Sequence, residues 1–359
     1  MSAWNEGIGI ATAVRAVFFP LDDQLKLWTK NWSEGVVKQA VWLSGIVPYE
    51  TAQKILAEIG QIHISTSSIW RQSQEWGERF QALEQEERLR ARILPVRCDA
   101  EQARVQERGR MGAAIDGGMI HIREEGWKEF KVGSIFELGK EMTWDERIGE
   151  MVEMPCALHS SYVAYLGGPE TFGQMVWAEA SRRDWEYAVA TEVIGDGAPW
   201  IWNLALEHFY DSVQIVDWYH AMEHLAAVAR LIKGEGTEAA KRWFKTQATT
   251  LYQGRIDQLV LAIEAEGQGQ PAIAEELQKQ AQYFLNNQRR MRYQEMREEE
   301  WLIGSGPAES AAKQYKARFT GPGMRWSRTG AERLFPVRSA IMSGRFDERW
   351  RQAYNSPRN

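Results

Sequence analysis

Three acidic residues, Asp116, Asp196 and Glu309, lie in sequence contexts that are more typical of catalytic or metal-binding acids than of solvent-exposed ones. Asp116 interrupts an apolar run, whereas Asp196 follows one and lies between Gly195 and Gly197. Burying an unpaired charge is costly, so acids in such places need a partner. Three carboxylates held close together repel one another unless a cation neutralises them, and carboxylate oxygens are ligands that Mg²⁺ accepts. The three acids therefore predict a hard-metal site, with Mg²⁺ as cofactor and Mn²⁺ as a substitute.

The elements that must position these acids predict an α/β protein with a mixed five-stranded sheet. Short apolar segments, several of them β-branched and bounded by turns, indicate the strands. The predicted strands cover residues 111–122, 130–136, 160–166, 190–194 and 213–216. Three antiparallel strands followed by parallel strands with helices between them is the order of a ribonuclease H-like fold. In that order the first and fourth strands are neighbours, which predicts Asp116 beside Asp196. Glu309 is predicted in the first turn of a later helix, where the helix dipole favours an acid.

Such a site suits phosphodiester chemistry. Two Mg²⁺ ions about 3.5–4 Å apart would activate a water or a 3′-hydroxyl and stabilise the leaving oxygen. Asp217 and His220, three residues apart at a predicted helix start, are candidate supporting residues. His220 could hydrogen-bond Asp217, orient a catalytic acid or contact a phosphate, or it could be an ordinary packed histidine. A zinc pair of His220 and His224 is rejected because a third ligand is missing nearby.

Basic residues are concentrated near the C-terminus, although the whole chain has a net charge of −6. From Lys313 onward eleven Lys and Arg residues face three acids, an excess that suits phosphate contacts. The alternative is a solvated arginine-rich helical surface. The predicted DNA-binding residues are Lys313, Lys316, Arg318, Arg325 and Arg328. Three predicted helices before residue 81 are compatible with a helix-turn-helix, or with a bundle used only for packing.

These patterns divide the chain into five segments. They are an N-terminal helical, helix-turn-helix-like region predicted to bind DNA (1–82), a charged helical linker (83–108), the first part of the catalytic core (109–232), an all-helical insertion (233–301), and the last part of the core with the basic C-terminal region (302–359). The insertion is predicted from a long polar, helix-favouring stretch that is nearly free of β-branched runs.

Composition excludes several classes of protein. No apolar run approaches the roughly 18 residues of a membrane span, and the first ten residues do not resemble a signal peptide. Two cysteines are too few for a disulfide framework. We therefore expect a cytoplasmic protein without a membrane partner, associated with the nucleoid when bound to DNA. The seventeen tryptophans prompt one unrelated alternative, a glycosidase using two carboxylates. The basic C-terminal region and the missing secretion signal weigh against it.

The motifs GDGAPWIWNLALEHF, QIVDWYHAMEHL and GSGPAESAAK, with GMRWSRTGAERL and RSAIMSGRFD near the end, carry a resemblance to a known family. Over about residues 109–350 the chain resembles bacterial insertion-sequence transposases of the DDE class, in the ISKra-type group related to Mutator-like transposases. The resemblance implies that the catalytic acids are Asp116, Asp196 and Glu309. Members usually have a longer N-terminal region, so the resemblance leaves two alternatives, a truncated copy or an element with a shortened end-binding region.

What the family implies is metal-dependent cleavage of insertion-sequence ends and strand transfer into target DNA. The implied partners are terminal inverted repeats and target DNA, on which the protein would act as a homo-oligomer. The alternative within the same fold is a catalytically decayed or domesticated DNA-binding protein.

Overall fold

The computed structural model describes residues 9–10, 17–18, 27–29, 32–91, 109–145, 149–268 and 270–356. Most of the predicted linker at 83–108 therefore lies outside the described residues. Four short strands near the N-terminus form two separate antiparallel pairs. They are β1 (Gly9–Ile10) with β2 (Val17–Phe18), and β3 (Leu27–Thr29) with β4 (Trp32–Ser33).

A five-stranded mixed sheet forms the centre of the molecule. Its strands are β5 (Met111–Ile122), β6 (Gly126–Asp145), β7 (Glu150–Tyr165), β8 (Thr191–Gly195) and β9 (Val213–Val216). They lie in the order β7-β6-β5-β8-β9, with β5, β6 and β7 antiparallel and β8 and β9 parallel to β5. The predicted α/β class, the mixed sheet and the adjacency of its first and fourth strands are confirmed. The short apolar β8 is buried at all five positions, as a parallel strand covered on both faces should be.

The second and third sheet strands are longer than predicted. Beyond Glu137, β6 leaves its partner β5 and continues with β7 as a two-stranded ribbon, from the pair Gly139–Cys156 to the pair Asp145–Glu150. The prediction missed this ribbon because much of it is solvated, so no buried face imposes a regular alternation of apolar and polar residues. Trp144, for example, is 57% exposed there.

Thirteen α-helices lie in the described part of the chain. They are α1 (Glu34–Ile46), α2 (Tyr49–Glu58), α3 (Thr66–Arg90), α4 (Pro169–Arg182), α5 (Pro199–His208), α6 (Trp218–Lys233), α7 (Glu238–Tyr252), α8 (Ile256–Gly267), α9 (Pro271–Asn287), α10 (Tyr293–Glu298), α11 (Gly306–Phe319), α12 (Arg328–Met342) and α13 (Phe346–Asn355). The hydroxyl of Ser65 caps α3 by accepting from the Ser68 N–H at 3.2 Å. Within the described ranges, no helix has the length and apolar character needed to cross a membrane.

The N-terminal helices share a hydrophobic core with the C-terminal helices. Trp76 of α3 stacks on Trp350 of α13 with ring centroids 3.6 Å apart and an interplanar angle of 14°. Both rings are buried, as is Phe80 one turn further along α3. This core also contains Phe130 of β6, so it extends from the N-terminal region to the sheet. A separate core surrounds β8 and β9 and includes apolar residues of the helical insertion.

A cluster of charged residues joins α3, α4 and α13. Arg349 donates two short hydrogen bonds to the carboxylate of Glu87, while Arg345 donates to Glu179 at 2.9 Å. Burial raises the pKa of the neighbouring Glu84 to about 8, against the lowering effect of Arg349. Glu87 and Glu179 add repulsion that raises it further. The two arginines therefore hold together a region in which three carboxyl groups would otherwise repel one another.

The contact between α3 and α12 depends on Gly77. A Cβ at this position would lie 2.1 Å from the backbone oxygen of Arg333. We expect Gly77→Ala to lower the free energy of unfolding by about 1–3 kcal/mol, because one helix must move away from the other. The matched control is Gly35→Ala in α1, where nothing lies within 4 Å and alanine should be neutral or stabilising. Urea unfolding of both variants tests this, and an unchanged Gly77→Ala protein would contradict it.

Candidate functional site

Asp116 and Asp196 lie beside each other at one edge of the sheet. The parallel register pairs Ala114 of β5 with Ile194 of β8, and each aspartate is two residues further along its strand direction. This is the carboxyl edge of β8, where open α/β sheets place their ligands. Oδ1 of Asp116 accepts from the Gly117 N–H at 2.6 Å, and Oδ1 of Asp196 accepts from the Ala198 N–H at 2.8 Å. The sequence-based pairing of these two acids is thus present in the structure.

The electrostatics of Asp116 reveal which side chains share its surroundings. Burial raises the pKa of its carboxyl, and the charge of Asp196 raises it further. The Gly117 N–H opposes this shift, and the nearby side chains of Lys316 and His220 also lower the pKa. Asp116, Asp196, Lys316 and His220 therefore form one electrostatic group. The group places two carboxylates next to each other, and carboxylate oxygens are ligands that a divalent cation accepts.

Asp217 acts as a helix cap. Its buried Oδ1 accepts from the backbone N–H of Tyr219 at 2.6 Å and of His220 at 3.0 Å, at the start of α6. Its Oδ2 accepts a short hydrogen bond from the Ser305 N–H. The His220 ring is not within hydrogen-bond distance of Asp217, since Nδ1 and Oδ1 are 3.9 Å apart. Asp217 therefore positions α6, which carries His220, and the segment that leads into α11.

That leading segment is held at two further points. The Trp218 N–H donates to the backbone oxygen of Ile303 at 2.9 Å, and Leu302 N–H donates to Oε2 of Glu192 at 3.2 Å. Glu192 is fully buried in β8, and burial raises the pKa of its carboxyl well above the usual range. Sequence analysis did not single out this residue, although an acid inside a short apolar strand was a usable signal.

Glu309 lies in the first turn of α11, as predicted, but its carboxylate is paired with Lys313. Oε1 of Glu309 is 2.8 Å from Nζ of Lys313, one helical turn later. Among the described residues, no three His, Cys, Asp or Glu side chains are close enough together to hold a metal ion. The structure therefore brings two of the three predicted acids together and leaves the third outside the group.

The two aspartates fit a divalent cation as oxygen ligands. Each uses one carboxylate oxygen for a backbone N–H, and neither has a direct ion pair with a described residue. Glu309 would complete a three-carboxylate set only after its ion pair with Lys313 opened. The two aspartates thus supply the kind of oxygen ligand that Mg²⁺ takes. The third predicted ligand, Glu309, is not beside them.

The predicted DNA-binding residues have different surroundings. Arg318 is buried, donates to the backbone oxygen of Ser44 at 2.7 Å and lies over the ring of Trp326, so we no longer count it among surface DNA contacts. Arg328 is bound by Glu125 through two hydrogen bonds of 2.6 Å. Lys316 passes over Gly118 towards Asp116, and Arg325 is exposed.

Tyr283 of α9 reaches the site from the helical insertion. Its hydroxyl donates to the backbone oxygen of Asp196 at 3.0 Å. The two residues are 87 positions apart, so no local pattern could have indicated this contact.

No model of a known protein family matches the chain, and a comparison with curated proteins likewise finds no match.

Proposed function

We propose that the chain is a metal-dependent DNA transposase of the DDE class, built on a ribonuclease H-like sheet. The observation that carries this proposal is the proximity of Asp116, in β5, to Asp196, in the turn that follows the adjacent parallel strand β8. A carboxyl whose pKa is raised by burial and by a neighbouring carboxylate, as that of Asp116 is, is typical of a functional site. The strand order and the helix that carries Glu309 add support, because both match the expected topology.

In the proposed reaction, the oxygen of a water attacks a DNA phosphorus and the bond to the 3′-oxygen breaks, leaving a free 3′-hydroxyl. The oxygen of that hydroxyl then attacks a target-DNA phosphorus, so that a new P–O bond forms while the bond from the phosphorus to its own 3′-oxygen breaks. The released 3′-oxygen takes up the proton that the attacking hydroxyl loses. Bound Mg²⁺ or Mn²⁺ would supply activation of the nucleophile and stabilisation of the leaving oxygen. Asp116 and Asp196 would hold the metal, with Glu309 as the third ligand. Lys316 and His220 would place positive charge beside the DNA phosphate.

The proposed partners are the terminal inverted repeats of an insertion sequence and target DNA, bound by a homo-oligomer in the cytoplasm at the nucleoid. Lys313, Lys316 and Arg325 are the basic residues that we keep as candidate phosphate contacts. Lys313 has a double role in this proposal. It neutralises Glu309 in the free protein and becomes available for DNA if Glu309 turns to the metal.

One observation favours a second candidate, a DNA-binding protein that has lost catalysis. The Glu309–Lys313 ion pair keeps the third acid out of a three-carboxylate group in the described part of the chain. Such a protein would bind the same DNA ends without cleaving them.

The test is cleavage of a labelled duplex carrying the end of the element, in Mg²⁺ or in EDTA. We expect wild-type protein to nick the duplex only with metal, and Asp196→Ala to reduce the rate by about 10³-fold or more while DNA binding persists. The control is Asp211→Ala, an exposed acid that precedes β9 and so lies at the opposite edge of the sheet. Cleavage that survives in Asp196→Ala would refute the assignment. Binding without cleavage by wild type would favour the second candidate.

A further inference from the structure

We propose that Tyr283 is a positioning residue for Asp196. Through Tyr283, the helical insertion fixes the turn that follows β8 and contains Asp196. This inference rests on the proposed function for its catalytic consequence, whereas its structural part stands on contacts alone. The insertion has otherwise no residue assigned to the reaction. A tyrosine supplied from α9 would make the orientation of Asp196 depend on correct docking of the insertion against the sheet.

Tyr283 packs closely against the turn that contains Asp196 and Gly197. The hydroxyl of Tyr283 donates to the backbone oxygen of Asp196 at 3.0 Å. The ring lies against Gly197, where a Cβ would be 2.8 Å from Cε2 of Tyr283. Gly197 also has a φ of +100°, which side chains rarely adopt, so glycine meets both the conformational and the spatial demand. The turn that follows β8 is therefore shaped to receive this ring.

The ring of Tyr283 is itself held from two helices. It stacks on His224 of α6 with centroids 3.7 Å apart and an interplanar angle of 19°. Nδ1 of His224 is 2.7 Å from Oε1 of Gln280, which lies one turn before Tyr283 on α9. Tyr283 also meets the buried ring of the adjacent Phe284 edge to face, with centroids 5.4 Å apart. These contacts leave the hydroxyl with a defined direction towards Asp196.

The hydroxyl remains a donor under ordinary conditions. Burial raises the pKa of Tyr283, and the negative charges of Asp196, Asp217 and Glu223 raise it further.

The turn that contains Asp196 is fixed at three points. Gly195 O accepts from the Asp217 N–H at 2.8 Å, Oδ1 of Asp196 accepts from the Ala198 N–H, and the Asp196 carbonyl accepts from Tyr283. Only the last point comes from the insertion.

The test compares Tyr283→Phe with Tyr293→Phe. Tyr283→Phe keeps the stacked ring and removes only the hydroxyl. Tyr293 is a matched control from the same helical insertion, with a buried ring that packs on Trp218 at 4.8 Å and a hydroxyl without a hydrogen-bond partner among the described residues. The first measurement is amide hydrogen exchange of the peptide covering residues 195–199 in metal-free protein. We expect about fivefold faster exchange in Tyr283→Phe and no change in the control.

The second measurement is cleavage as a function of Mg²⁺ concentration. We expect Tyr283→Phe to lower the maximal rate about tenfold and to raise the Mg²⁺ concentration for half-maximal rate, with unchanged DNA affinity. A merely structural role would instead lower thermal stability without this pattern. Unchanged exchange at 195–199 would overturn the inference, as would unchanged cleavage beside faster exchange. If wild type does not cleave, the proposed function fails while exchange still decides whether Tyr283 fixes the turn.

Discussion

Replacing Asp116 with Asn is expected to abolish metal-dependent cleavage and, at the same time, to stabilise the metal-free fold. The loss of activity should be about 10³-fold or more, because one of two adjacent metal-binding carboxylates disappears. The gain in stability follows from the raised pKa of Asp116, which reports that its charged form is disfavoured in the folded state by burial and by Asp196. Catalysis and stability should thus change in opposite directions at this position.

The sign of the stability change can be checked against pH. A carboxyl whose folded pKa is raised stabilises the fold at low pH, and this contribution is lost as the pH rises through its folded pKa. Wild-type protein should therefore lose stability relative to Asp116→Asn as the pH rises through that value. Added Mg²⁺ should raise the Tm of wild type and leave the variant unaffected, because only wild type gains a ligand in the folded state. Asp211→Asn is the control, and a variant less stable than wild type without metal would contradict the prediction.

Replacing Arg349 with Met is expected to cause a large loss of stability. The change leaves Glu87, whose side chain is 28% exposed, without its bidentate partner beside Glu84 and Glu179, while Arg345 remains 3.9 Å away. Breaking a fully buried ion pair by removing one partner costs about 3–5 kcal/mol, and the partial exposure of Glu87 with Arg345 nearby brings the expected loss to about 2–3 kcal/mol. Urea unfolding measures this loss directly. The N-terminal helix α3 should be the first element to lose protection in hydrogen exchange, since Arg349 joins α3 to α13.

Two variants sharpen this test. Arg351→Met on the same helix removes an exposed charge whose Nε donates, among the described residues, only to the backbone oxygen of Asp347. It should change stability by less than about 0.5 kcal/mol. The double variant of Arg349→Met with Glu87→Gln should recover part of the loss, because the stranded charge is then gone. A loss of similar size in the double variant would show that packing, and not the uncompensated charge, is what Arg349 provides.

The sheet and the Asp116–Asp196 pair could be predicted because their causes are local. Short apolar runs mark β5, β8 and β9. Asp196 directly follows the run of β8 and so lies at a sheet edge, and the strand order then places Asp116 of β5 beside it. The extent of β6 and β7 could not be predicted, because the ribbon beyond Glu137 is stabilised by backbone pairing and not by a buried face. The part of the sheet that could be predicted is therefore the part that packs against a hydrophobic core.

The remaining site residues depend on side-chain directions and long-range packing. Glu309 was predicted on the correct turn of α11, but the direction of its carboxylate is set by Lys313, four residues later. Arg318 belongs to a basic run that suggests a surface, yet it is buried under contacts with a residue 274 positions away. Tyr283 lies on a polar helix without any local feature that distinguishes it. Each of these requires the fold before its role can be inferred.

The shared core of the N- and C-terminal helices has a consequence for how the protein is made. Trp350 of α13 donates to Glu34 of α1 across 316 residues, and the stacking of Trp76 on Trp350 forms only once α13 exists. At a synthesis rate of about 5–20 residues per second, the N-terminal helices wait roughly 15 to 60 seconds for these contacts. During that time the apolar faces of α1 and α3 are open to chaperones or to another nascent chain. If synthesis stopped before α13, the released chain would contain all five strands of the central sheet. The core shared by the N- and C-terminal helices would then remain open to solvent.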